Sequence, residues 1–142
     1  MLAAMLLAAA GSVFAYAWAQ QPDGGGSEGP HPLRIEGPGG GPVWEGEARA
    51  PGGTALAHLQ EAARLAGFTV EVEDMGAAFG PDRCAGLYVR AIAGIEETRH
   101  GGWNYYVQRK GSPHYAWIPH AAACHPLQGG DRVLWRWVDA GA

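Results

Sequence analysis

The chain opens on an uninterrupted apolar run and becomes periodic only near residue 33. "MLAAMLLAAAGSVFAYAWA" (1–19) carries no charge, and "QQPDGGGSEGPHP" (20–32) is glycine, proline and polar residues with nothing to bury. "LRIEG" and "VWEGEARA" then read as two short strands around the turn "PGGGP". In the second, Trp44, Gly46 and Ala48 alternate with Glu45, Glu47 and Arg49, the period of two of a half-buried strand. "GGTALAHLQEAARLAGF" switches to a helical period: Leu56, Leu59, Ala63 and Ala66 form one stripe. Thr54 is placed as the N-cap and Gly67 as the terminating glycine. The same period puts His58 with Glu61 and Arg64 on the solvent side. Phe68, Val70 and Val72 alternate with Thr69, Glu71 and Glu73 in the next strand. "GLYVRAIAG", "GGWNYYV" and "RVLWRWV" follow as further strands, with Val133, Trp135 and Trp137 sharing a face. This order predicts an α+β domain, one mixed sheet clasping a single helix.

The first 19 residues end in Ala-x-Ala, which predicts a secretory signal peptide cleaved after Ala19. The other reading is an uncleaved membrane anchor, since the stretch reaches bilayer-spanning length. Both place the folded part outside the cytoplasm, secreted or associated with the cell envelope. A flexible linker over 20–32 and one domain over 33–139 complete the organisation. Two cysteines, Cys84 and Cys124, in an exported segment are expected to form a disulfide. Closing a loop of about 40 residues would stabilise the fold by roughly 3–4 kcal/mol. The formal net charge of −4, with ten Lys and Arg against fourteen Asp and Glu, gives no footprint for nucleic acid.

Chemistry-bearing residues are sparse. Ser27 and Ser112 lie in no nucleophile motif, and Asp74 and Asp82 flank a loop, so no catalytic residue is expected. His114, His120 and His125 cluster beside Cys124, but their spacing fits no zinc module and no metal site is expected. The aromatic density is more informative. Along "GGWNYYV", Trp103 and Tyr105 face one way and Asn104 and Tyr106 the other. At least one set is core; the other either packs in the core as well or is exposed to stack a flat ligand beside Tyr115 and Trp117. Trp103, Tyr105, Tyr115 and Trp117 are the candidate binding residues.

Three runs carry a family resemblance: Gly86, Tyr88, Val89, Ile92 and Gly94; Gly102, Trp103, Tyr105 or Tyr106, and Val107; and Gly130, Asp131, Val133 and Trp135. Together with the "GGTALAHL" helix start, they resemble the transcobalamin-like C-terminal domain, DUF4430, over about residues 33–138. The resemblance implies a β-grasp-like fold and a corrinoid such as cobalamin as possible ligand. In that family the domain is the smaller half of a two-domain clamp. Where the family often has Val-Asn-Gly after the aromatic strand, this chain has the longer excursion "QRKGSPHYAWIPHAAACHP". The reading is an exported, non-catalytic module that binds a small planar ligand, with no certain cofactor. The alternative is a structural or protein-interaction module of the cell envelope without a small-molecule ligand.

Overall fold

The computed structural model describes residues 25–76 and 83–141, so the signal-peptide or anchor segment and Asp82 lie outside the described residues. Among the described residues no helix is long and apolar enough to cross a membrane. Strands β1 (His31–Glu36) and β2 (Pro42–Ala48) form the expected hairpin. Gly39 and Gly40 turn it at φ 76° and 82°, a region that costs glycine little. Helix α1 (Ala55–Ala66) follows, then β3 (Val70–Asp74), β4 (Leu87–Ile92), β5 (Ile95–Glu96), β6 (Gly101–Gln108), β7 (Ala116–Trp117) and β8 (Arg132–Asp139).

The class is α+β, as the pattern predicted, but the strands form two sheets rather than one. The larger has the order β2-β1-β8-β6-β7 and is mixed, with β1 and β8 parallel at its centre. The smaller, β3-β4-β5, is antiparallel. The cause of the split is local. Ala93 (φ 54°) and Gly94 (φ 79°) make a two-residue turn after β4, so the chain doubles back as β5 instead of crossing to β6. The Trp103 indole N–H then donates to Ile95 O at 2.8 Å, tying the sheets together through a side chain.

Both helix caps are as expected. Thr54 Oγ1 accepts from Ala57 N at 3.2 Å, and Gly67 (φ 84°) donates its N–H to Ala63 O. The buried arc is wider than a single stripe: Ala55, Leu56, Leu59, Ala62 and Ala63 are covered, whereas Ala66 is exposed. His58 corrects the expectation outright, being 0% exposed rather than solvated. The helix is covered on its His58 side by backbone at the start of β1, where His58 Nε2 lies 2.9 Å from His31 O.

That covering segment corrects a second expectation, since the packed fold starts before residue 33. Ser27 N donates to Leu127 O, Ala50 N donates to Glu28 O, and His31 is fully buried. The His31 ring nitrogens lie 2.9 Å from Ser27 O and 3.1 Å from Asp131 O. A stretch without apolar side chains is held here by backbone and imidazole hydrogen bonds. Leu33, Ile35, Leu59, Ile92, Leu127 and Val133 form the driest part of the core.

Candidate functional site

A cavity of about 670 Å³ opens between the two sheets. Alternation along β6 points Trp103 and Tyr105 inward, and pairing with β8 sets Trp135 directly opposite Tyr105. The two rings stack at 5.0 Å between centroids and 25° between planes. With Leu56 of α1 they form the floor. Leu87 to Arg90 of β4 make one wall, and residues 117–122 make the other.

The disulfide joins these walls. Cys84 belongs to a 3₁₀ turn, Arg83–Gly86, and Cys124 to another, Ala122–Cys124. They are bonded as expected, with Cα atoms 5.2 Å apart. Ala85 and Gly86 beside one cysteine and Ala121 and Ala122 beside the other all line the cavity. The Tyr105 hydroxyl donates to His120 O at 2.7 Å and fastens the same wall to the floor. Burial pushes the Tyr105 phenol above its ordinary pKa, so it remains a donor at neutral pH.

The rim is polar. Tyr88 OH donates to Glu97 Oε2 at 2.6 Å. Arg90 pairs with Glu73 through Nη1, and its Nε stands 3.6 Å from Glu97 Oε1. Burial, then the bond to Glu97, pushes the Tyr88 phenol up to about 12. With two carboxylates to one guanidinium, the mouth suits a ligand that brings hydrogen-bond donors to an otherwise apolar, aromatic chamber.

Three of the four candidate residues meet here. Trp103 and Tyr105 are each 5% exposed, at once core side chains and cavity surface. Trp117 is 57% exposed and stands at the mouth. Tyr115 does not join them; it lies in a groove with Gln108, Arg132 and Arg136. Sequence reasoning missed Trp135, Tyr88 and Glu97 as wall and rim. Trp135 carried a signal, its inward alternation, whereas its stack on Tyr105 depends on a cross-strand register that the sequence does not display.

The histidines separate. His120 Nε2 and His125 Nδ1 are 3.1 Å apart, while His114 is exposed, and Cys124 is spent in the disulfide. Burial, with Arg109 and His120 alongside, lowers the His125 pKa. Asp131, the acid of the Gly-Asp turn, is buried and accepts from Arg109 Nη1 at 2.6 Å and Gln128 N at 2.7 Å. Its role is to brace the entry to β8. Asp74 is exposed and accepts from Gly76 N, a local turn contact. Among the described residues no three His, Cys, Asp or Glu side chains form a metal-binding group.

No protein-family model and no curated protein matches this chain. Among solved structures, the crystal structure of haptocorrin in complex with Cbi is similar to it in fold, with a TM-score of 0.55 at 12% identity. The likeness covers 79% of this chain and 26% of the haptocorrin chain. At that identity it is a likeness of architecture.

Proposed function

We propose that the protein is an extracytoplasmic, non-catalytic module that binds a small planar ligand in the inter-sheet cavity, with a corrinoid as the leading candidate. The observation that carries this reading is the chamber itself: about 670 Å³, floored by Trp103, Tyr105 and Trp135, in the range of small-molecule sites. Rigid aromatic walls lower the entropic cost of holding a flat ligand. The motifs resembling the transcobalamin-like C-terminal domain, and the fold shared with a haptocorrin solved with Cbi, support a corrinoid over other flat molecules. The oxidised Cys84–Cys124 pair supports a location outside the cytoplasm.

The test is titration of the purified protein with cobalamin and its precursors, following tryptophan fluorescence. A domain of this kind titrated alone is expected to bind in the micromolar range or more weakly, about −8 kcal/mol or less in magnitude. Quenching should saturate, weaken in Trp117→Ala and persist in Tyr115→Ala. Absence of saturable quenching up to about millimolar ligand would put the envelope interaction module in front.

A further inference from the structure

The outer face of the five-stranded sheet, turned away from α1, carries chemistry that the cavity does not use. Cross-strand pairing sets Arg34, Leu134 and Tyr106 in one row across β1, β8 and β6. Beside that row, Arg132 stands opposite Gln108. A groove of about 470 Å³ runs here, with Tyr115, Arg132 and Arg136 among its walls. Tyr115 is 36% exposed, and the Arg136 guanidinium lies 5.4 Å from the Tyr106 ring centroid.

Charge sharpens the picture. Three arginines, Arg34, Arg132 and Arg136, face two glutamates, Glu36 and Glu45. Glu36 bridges Arg34 at 2.8 Å and Arg136 at 3.0 Å, while Arg132 has no carboxylate partner among the described residues. A chain of net charge −4 thus concentrates a cationic excess beside Tyr115.

We propose that this face is a second binding site, for an acidic oligosaccharide. A sugar ring would stack its C–H face on Tyr115, and a uronate-type carboxylate would sit on Arg132. An apolar protein partner would have to strip water from the Arg34–Glu36–Arg136 network without replacing its hydrogen bonds, a costly desolvation. Sugar hydroxyls replace that water in kind. Arg supplies a forked, permanently charged donor that matches a carboxylate.

The experiment titrates the protein by calorimetry with an oligogalacturonate and with a neutral glucan of the same length. The acidic sugar should bind, and Tyr115→Ala and Arg132→Ala should each weaken it by about tenfold or more. Raising salt from about 0.05 to 0.5 M should weaken it as well. Neither residue lines the cavity, so corrinoid quenching should be unchanged in both variants and the two sites can fail separately. Equal binding of the neutral glucan, equal binding of single-stranded oligothymidylate, or no saturable binding of oligogalacturonate overturns the proposal. So does acidic-sugar binding that survives both substitutions together.

Discussion

The inner face of the five-stranded sheet is treated differently along its width. Over β1 and β2 it is covered by α1 and filled to dryness by Leu33, Ile35 and Leu59. Over β6 the same face meets only the small sheet and the segment around Trp117 to Ala122, and a chamber remains. Geometry explains the contrast. Strands spaced about 4.8 Å apart spread five strands over roughly 19 Å, whereas one helix with its side chains is only about 10–12 Å across. A single helix cannot cover such a sheet. The uncovered half must be roofed by other elements, and here that roof stands clear of the floor.

The contrast can be broken in several ways. The largest expected effect is at the link between roof and floor. Replacing Cys84 and Cys124 by Ser should cost about 3–4 kcal/mol in urea unfolding and weaken ligand quenching. A full stability loss with unchanged quenching would show that the bond does not shape the chamber.

Next is filling itself. Leu59→Ala on the dry side should cost about 2–4 kcal/mol, and Val89→Ala on the chamber wall less than half of that, because its surroundings already contain free volume. Equal costs would mean that the chamber side is as tightly packed as the helix side.

A third handle is pH. His58 belongs to the dry side, and burial lowers its pKa from 6.5 to about 4. Between those values the unfolded chain binds a proton that the folded chain does not. Stability therefore falls as pH drops below 6.5 and levels off below about 4, by up to about 3 kcal/mol at that one site. His58→Gln, compared with the parent by thermal melting at pH 7 and pH 5, should flatten this slope. An unaltered slope would assign the acid sensitivity to other groups.

The smallest effect is at the turn that creates the second sheet. Ala93→Gly should stabilise by about 1 kcal/mol, since Ala93 sits at φ 54°, where a Cβ is unfavourable. Any destabilisation would mean that its methyl packs usefully on the core.

How far the sequence reveals this arrangement depends on whether the signal is local. Thr54, Gly67 and the Leu56–Leu59 spacing mark α1 because caps and helical period are properties of neighbouring residues. The hairpin of β1 and β2 and the inward side of β8 are legible for the same kind of reason, and the Cys84–Cys124 bond because the chain has just two cysteines to pair. His58 is not, because its burial depends on backbone at His31, 27 residues away. The two-sheet split hangs on one turn whose first residue, an alanine, gives no sign of a left-handed conformation. Tyr115 and Trp117 look equivalent in sequence, yet β7 pairs only at Ala116 and Trp117 before Ile118 N reaches Tyr105 O. The chain then turns under the sheet, and the two rings end in different depressions.

The bond between the two 3₁₀ turns also bears on how fast anything enters or leaves. With the two turns cross-linked beside Ala85 and Ala122, the walls cannot part at that point while the cysteines stay oxidised. A ligand bound as proposed would pass the mouth, where Trp117 and Tyr88 stand. Side-chain gates of this sort move in picoseconds to nanoseconds, against microseconds to milliseconds for collective lid motions. For a ligand bound as proposed, residence time would then follow from the contacts inside the chamber rather than from a gating step, and reducing the bond should loosen that wall.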